Sequence, residues 1–124
     1  MESMAPVKTV SYRIQRQNNL NTVMYEAIDG PGGAYHKYYV GRGDKIITEI
    51  QFQKGPRNEE GSVAGVVEGD LLEIVRHRLQ CFQAGPYATR ENACALTHIE
   101  EALMWIAKRA DDRAERGVLG TMNK

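Results

Sequence analysis

The hydrophobic period of this chain changes near residue 66, and this change limits the possible fold more than any other feature. Before it, apolar and polar residues alternate in short runs, as in half-buried strands. After it, apolar residues recur every three or four positions over two long segments, as in amphipathic helices. The sequence therefore predicts an α+β fold, with an N-terminal small antiparallel β-sheet followed by a long C-terminal antiparallel helical hairpin.

The first half is expected to form about four strands. Alternation marks residues 9–14 and 45–53, while apolar or aromatic runs mark residues 22–28 and 35–40. Clusters of turn-forming residues separate these runs at 17–21, 29–33 and 41–44. This spacing is typical of an antiparallel meander.

The first helix is predicted from about Glu68 to Gln83. One apolar line along it includes Arg78 and ends at Phe82. Gly85 is expected to form a left-handed C-terminal cap, because glycine adopts a positive φ without strain. The proline that follows cannot continue the helix.

The second helix is predicted to begin at Thr89, a favourable N-cap residue, and to end at Arg116-Gly117. It would run for about 27 residues, or about 40 Å. Near its middle the apolar arc widens, because Met104 and Trp105 point away from the main stripe. One partner helix and a small sheet would not cover that surface, so we expect self-association.

Composition narrows the classes of partner. Sixteen basic and sixteen acidic residues among 124 leave no net charge, which argues against a nucleic-acid polymer or an anionic membrane.

The length fits a single domain, 1–124, with a flexible N-terminus at 1–6, a sheet part at 7–56 and a helical hairpin at 66–117. Two cysteines outside any paired motif, without a transmembrane run, predict a reducing cytoplasm.

No residue pattern in the sequence favours catalysis. The three histidines lack metal-ligand spacing, and neither cysteine lies in a nucleophile motif. Neither glycine-rich turn precedes a helix, as a phosphate-binding loop would. We therefore expect no enzyme activity, no catalytic residue, no metal and no cofactor.

Several residues allow both a structural and a ligand-binding interpretation. Arg78 and Asn92 interrupt apolar stripes, where they could pair with neighbours and cap a helix, or face a pocket. Phe82 could be a core residue or the stacking surface for a nucleobase. Arg109 and Arg113 share a helix face, which suits surface ion pairs or phosphate contacts. Spacing alone leaves these alternatives open.

The motif Phe-Gln-x-Gly-Pro occurs twice, at residues 52–56 and 82–86. Two copies do not make a repeat protein, because stacked architectures need three or more units. One copy is expected to follow a strand and the other to end a helix. We interpret them as the boundaries of the sheet and of the first helix.

The second half combines the motifs RLxxFQxGP, RENA, EEALxW and RGVxGT. This combination resembles the helical hairpin of the phage Thoeris anti-defence one family, which anti-CBASS cyclic-nucleotide sponges share. With the sheet-forming half in front, the resemblance spans nearly the whole chain. It implies a phage protein that sequesters glycocyclic ADP-ribose isomers without degrading them, in the cytoplasm of the infected bacterial host.

The resemblance also implies a homo-oligomer, either a dimer or a hexamer. Some members are similar to the anti-CBASS sponges in holding cyclic di- or trinucleotides at separate sites. Residues 62–65 read Ser-Val-Ala-Gly here, where the hairpin pattern often reads Gly-Val-Asn-Gly. Residues 62–65 belong to the link before the first helix, and this departure argues against a cyclic-oligonucleotide site near that link.

The ligand-binding residues that the resemblance implies are Arg57, Phe82, Thr89, Arg90, Asn92, Arg109 and Arg113. Among them, Phe82 and Asn92 would contact a base or ribose, and the arginines after EEALxW would meet phosphates together with Arg57. Two other functions remain open from the residues themselves. One is a cyclic-nucleotide hydrolase, and the other is an oligomeric structural or adaptor protein that binds no small molecule.

Overall fold

The computed structural model describes residues 6–15, 20–28 and 30–122. The chain divides into two compact units, Met1–Val66 and Val67–Lys124, which we call the sheet unit and the hairpin unit. The single-domain assignment stays a prediction, and residues 1–5 of the expected flexible terminus lie outside the described residues.

Within its described residues, the sheet unit is a four-stranded antiparallel meander with strand order β1-β2-β3-β4. The strands are β1 (Val7–Thr9), β2 (Thr22–Glu26), β3 (Lys37–Arg42) and β4 (Lys45–Gln51). A two-residue turn joins β3 to β4, and its first residue, Gly43, has a φ of 61°. The α+β prediction is confirmed.

The predicted position of the first strand was wrong. Alternation placed it at residues 9–14, whereas β1 ends at Thr9, with one more hydrogen bond from the Val10 amide to the Val23 carbonyl at 2.9 Å. Tyr12 has a φ of 59°, so the backbone leaves the extended conformation there. Its side chain is 100% exposed, and the apolar alternation beyond Val10 therefore packs against no strand.

Aromatic rings pack against one another in the sheet unit. The Tyr25 ring lies 4.5 Å from that of Tyr35 and 6.3 Å from that of Tyr38, measured between centroids. Tyr38 in turn meets Phe52 edge-on at 5.5 Å. The phenylalanine of the first FQxGP copy is thus part of the packing of this unit.

The segment after the first FQxGP copy returns to the end of β4. The side-chain amide of Gln53 donates to the Gly55 carbonyl at 3.1 Å and accepts from the Gly65 amide at 3.4 Å. A Cβ atom at Gly65 would lie 2.4 Å from the Gln51 carbonyl oxygen and 2.5 Å from the Phe52 carbonyl carbon. Only glycine allows the two backbone segments to approach so closely.

The hairpin unit contains α1 (Glu68–Gln83) and α2 (Arg90–Glu115), and the two helices are in contact. The predicted span of α1 is confirmed. Thr89 caps α2 as expected, since its hydroxyl oxygen accepts from the Asn92 amide at 3.0 Å. The Asp70 carboxylate accepts from the Val67 amide at 2.9 Å and so satisfies a backbone donor at the start of α1.

The face of α1 that is half-buried in the hairpin unit carries Leu72, Arg76, Leu79 and Gln83. These residues follow the three- and four-residue spacing of one helix face. Arg76 bridges to Glu100 of α2 at 3.2 Å. The neighbouring line, on which Arg78 and Phe82 lie, is exposed in the single chain.

The helix ends differ from the sequence prediction in one respect. Gly85 is not among the glycines with positive φ, and α1 ends instead with a bond from the Gly85 amide to the Phe82 carbonyl at 3.1 Å. The left-handed cap occurs after α2, where Gly117 has a φ of 72°. There the Gly117 amide donates to Ala114 and the Val118 amide to Arg113, at 3.1 and 3.0 Å, which is a Schellman motif.

No hydrophobic side chain in the described part of the chain is fully buried. Met104 and Trp105 of α2 are 65% and 63% exposed, as the wide apolar arc predicted. Large apolar side chains grouped on a surface in this way are typical of interaction sites. No helix of the described residues is long and apolar enough to cross a membrane.

The close approach at Gly65 predicts a steric effect that can be measured. Gly65→Ala should lower the free energy of unfolding by about 1–3 kcal/mol, because a Cβ atom would displace the end of β4. Gly85→Ala is the control, since its Cβ atom would meet the Cys81 carbonyl at an ordinary 3.6 Å. Denaturant unfolding measures both variants, and equal losses would contradict the steric explanation.

Candidate functional site

The link between α1 and α2 brings four of the predicted ligand-binding residues together. Phe82 lies in the last turn of α1, Thr89 caps α2, and Arg90 and Asn92 lie in its first turn. We call this region, residues 78–92, the hairpin corner. Phe82, Arg90 and Thr89 are exposed there, and Asn92 is half-buried.

A pair of hydrogen bonds closes the hairpin corner. The Gln83 side-chain amide donates to the Thr89 carbonyl at 3.0 Å, and its oxygen accepts from the Thr89 amide, also at 3.0 Å. One side chain thereby satisfies both backbone groups of the residue that caps α2. The pair joins the end of α1, where Phe82 lies, to the start of α2, where Asn92 lies.

The Phe82 ring lies at the surface with a cation over it. Its side chain is 36% exposed, and the guanidinium carbon of Arg78 lies 5.1 Å from the ring centroid. A contact of this kind at an exposed site contributes about 0.5–1 kcal/mol. The aromatic surface can therefore stack on a planar ligand ring, which Phe52, packed against Tyr38, is less free to do.

Asn92 has a side-chain amide available for a ligand. Its backbone amide is bonded to the Thr89 hydroxyl, whereas its side chain makes no hydrogen bond within the described part of the chain. A carboxamide offers two donors and one acceptor, which suits the edge of a base or a ribose hydroxyl. Arg90 beside it is exposed and forms no ion pair with a described residue.

Two other predicted residues, Arg109 and Arg113, lie on α2 away from the hairpin corner. Arg109 and Arg113 follow Asn92 by 17 and 21 positions on one helix, which corresponds to about 25 and 32 Å along its axis. A single chain therefore does not bring them to Phe82. Arg57 belongs to the sheet unit, where it is exposed.

Arg113 has a structural partner in this chain. Its Nη2 atom donates to the Val118 carbonyl at 2.9 Å and to the Thr121 carbonyl at 3.1 Å. These bonds hold the segment after α2 and orient the guanidinium. Arg109, one turn earlier, is exposed on the surface of α2.

Sequence reasoning did not predict the role of Gln83. The signal was present, because both FQxGP copies carry glutamine at the same position and both use it to join backbone groups across a corner. Arg78 was noted as a charge on an apolar line, but its contact with Phe82 was not predicted. An ion pair with an acidic neighbour, the alternative from sequence, is not present among the described residues.

Two concavities in the described structure contain none of the predicted ligand-binding residues. One, of about 350 Å³, runs along α2 beside Met104 and Lys108. The other, of about 110 Å³, lies in the sheet unit beside His36, Lys37 and Lys54. Among the residues that the structure describes, no group of histidine, cysteine and acidic side chains could hold a metal ion.

Residues 44–111 match the family model described as the Acb2/Tad1 hairpin domain, which is more than half of the chain. The chain belongs to the Acb2/Tad1 hairpin family. The matched range contains β4, α1 and most of α2, so it includes every predicted ligand-binding residue except Arg113. The resemblance drawn from the four motifs is confirmed.

This member of the Acb2/Tad1 hairpin family is also similar in sequence to a phage protein. Over 95 residues it is 44% identical to a Bacillus phage SBSphiJ7 protein named "Thoeris anti-defense 1". The aligned region covers 77% of this chain and 66% of that protein, about two thirds of its length.

The bonds of Gln83 predict a local loss of stability in a variant. Gln83→Ala should lower the free energy of unfolding by about 1–3 kcal/mol, because two hydrogen bonds are lost. The Thr89 amide then has no partner, and the Thr89 carbonyl keeps only the Ala93 amide. Amide hydrogen exchange should rise at residues 84–89 before it rises elsewhere in the hairpin unit.

Gln80→Ala is the matched control, because Gln80 is exposed on the same helix and its side chain makes no hydrogen bond with a described residue. It should change the free energy of unfolding by less than about 0.5 kcal/mol. The same exchange rates in Gln83→Ala and Gln80→Ala would contradict a structural role for the Gln83 amide.

Proposed function

We propose that this chain is a phage anti-defence protein that binds and sequesters glycocyclic ADP-ribose isomers without degrading them. Bound signal would no longer reach the bacterial Thoeris system. Membership of the Acb2/Tad1 hairpin family and the name of the similar phage protein support an anti-defence role. The exposed Phe82 ring, next in the chain to the Gln83 side chain that bonds the Thr89 cap, is the observation that carries the ligand class.

An adenine ring and a ribose fit the groups of the hairpin corner. The base would stack on Phe82, since every nucleobase presents a flat π-face and such stacking contributes about 1–3 kcal/mol per base. The free amide of Asn92 would bond the base edge or a ribose hydroxyl. Thr89 keeps its role as a cap and fixes the approach of Asn92.

The phosphates would be bound by arginines that a single chain does not bring to the corner. Because Arg109 and Arg113 lie about 25 Å or more along α2 from Asn92, they would come from another copy. Arg57 would join them. A guanidinium suits this task through its planar set of donors, which matches phosphate oxygens in pairs.

Self-association follows from the same proposal. Met104 and Trp105 expose apolar surface on α2, and no described hydrophobic residue is fully buried in the single chain. A dimer or a hexamer would cover this surface and bring arginines of one copy towards the corner of another. The protein would act in the cytoplasm of the infected bacterial host, with cyclic di- or trinucleotides as a second ligand class.

Recovery of the ligand distinguishes sequestration from hydrolysis. The protein is incubated with glycocyclic ADP-ribose, separated from free ligand, denatured, and the released nucleotide is analysed by mass spectrometry. We expect the intact ring, in an amount that matches the bound amount. A ring-opened product would indicate a cyclic-nucleotide hydrolase, and no bound nucleotide would favour a structural or adaptor protein.

Truncation of the corner residues should remove binding without unfolding the protein. Phe82→Ala and Asn92→Ala are each expected to weaken binding of glycocyclic ADP-ribose by at least about a hundredfold in calorimetry, because each removes an anchor at the centre of the site. Oligomer size should not change, since the Gln83 bonds remain.

Phe52→Ala is the matched control from the other FQxGP copy. It removes the edge contact with Tyr38, so it should lower the unfolding temperature of the protein. Ligand affinity should stay close to that of the wild-type protein. If Phe82→Ala instead loses thermal stability as much as Phe52→Ala does, Phe82 is a packing residue and not a ligand contact.

Charges on the apolar surface of α2 test self-association. Met104→Glu and Trp105→Glu should reduce the mass measured by light scattering, because an interface that buries an unpaired carboxylate is disfavoured. Lys108→Glu, a charge change at an exposed neighbouring position, is the control. An unchanged mass in all three variants would show that the oligomer forms through another surface.

A further inference from the structure

We infer that Arg78 is a positioning residue for the ligand site: its guanidinium covers one face of the Phe82 ring, so that a ligand base stacks on the opposite face. This inference rests on the proposed function. Arg78 interrupts the apolar line of α1 and is exposed in the single chain, where its guanidinium meets the Phe82 ring.

The geometry of the helix explains why these two side chains meet. Residues four apart lie on the same face, and helical side chains lean towards the N-terminus, over the preceding turn. The Phe82 ring therefore leans back over the position of Arg78, and the guanidinium carbon lies 5.1 Å from its centroid. The apolar stem of Arg78 can follow the exposed ridge of α1 while its charged end rests on the ring.

The guanidinium of Arg78 has no competing partner in the described structure. It forms no hydrogen bond and no ion pair with a described residue, and its contact is the Phe82 ring. Arg76, two positions earlier, shows the other arrangement, because it is paired with Glu100 at 3.2 Å and with Glu73 at 3.9 Å. The two arginines of α1 thus have different roles. Arg76 joins the helices, and Arg78 orients the Phe82 ring.

The contact limits how a ligand can approach the ring. A guanidinium over one face leaves the other face for stacking, and 36% of the Phe82 side chain remains exposed. A cation also withdraws electron density from the ring, which strengthens stacking of an electron-rich purine on the far side. Gln83, the residue after Phe82, bonds the Thr89 backbone with its side chain. The ring and the link that follows it are therefore both oriented before a ligand arrives.

The geometry can be tested in the ligand-free protein. The side-chain protons of Arg78 should resonate upfield in the NMR spectrum because of the ring current of Phe82, and Phe82→Leu should remove that shift. A spectrum without the shift in the wild-type protein would overturn the inference, whether or not any nucleotide binds.

Binding measurements test the positioning role with two probes, glycocyclic ADP-ribose and adenosine. Arg78→Ala should weaken both by about twofold to fivefold, because the contact acts through stacking and not through the phosphates. Arg78→Lys, which retains a cation, should restore part of the affinity. Lys108→Ala, a cation removed elsewhere on the surface, should leave both affinities unchanged.

A double-mutant cycle separates Arg78 from an independent phosphate contact. In a Phe82→Leu background, Arg78→Ala should change the affinity for glycocyclic ADP-ribose by less than about twofold, since the ring through which it acts is gone. The inference is overturned by an equal loss in both backgrounds, or by a loss confined to the phosphate-bearing probe. If the wild-type protein binds neither probe, the proposed function fails, while the ring-current result still decides the geometry.

Discussion

The pair of hydrogen bonds between Gln83 and Thr89 is the interaction on which the hairpin corner depends. Both are 3.0 Å long, and they join the last residue of α1 to the cap of α2. Without them, the two helices would be held by their packing and by the ion pair of Arg76 with Glu100, and no hydrophobic side chain of the described chain is fully buried. With them, an exposed aromatic ring and an uncommitted amide are held at one end of the hairpin. A binding surface of this kind needs little ordering when a ligand arrives.

The two FQxGP copies show one backbone device used in two settings. In both, glutamine bridges backbone groups across a corner, to Gly55 and Gly65 in the first copy and to Thr89 in the second. The phenylalanines differ because their surroundings differ. Phe52 meets Tyr38 in the sheet unit, whereas Phe82, in the last turn of α1, has the Arg78 guanidinium over its ring and no aromatic partner among the described residues. The motif therefore specifies a corner, and the neighbouring elements decide whether its ring packs against other aromatic rings or stays at the surface.

Exposed apolar surface relates the fold to the proposed assembly. A chain of this length can bury a modest core, yet the described residues leave Met104 and Trp105 largely in solvent. Arg109 and Arg113 lie about 25 Å or more along α2 from Asn92. A second copy would address both features, because it would cover apolar surface and supply the distant guanidinium groups. Arg113, already bonded to Val118 and Thr121, would present a guanidinium of fixed orientation.

Residue periodicity and capping are local properties, and they were sufficient to predict the α+β class, the span of α1, the Thr89 cap and the wide apolar arc of α2. The motifs also identified the family and the candidate residues. Alternation misplaced the first strand, because pairing with β2 ends at Thr9 and the backbone turns away at Tyr12, which has a positive φ. The fold was needed to show that Gln83 closes the corner and that Arg113 holds the chain after α2, because both contacts depend on how the chain turns after a helix. The contact of Arg78 with Phe82 lies within α1, where a spacing of four residues allows it but does not exclude an ion pair with another neighbour.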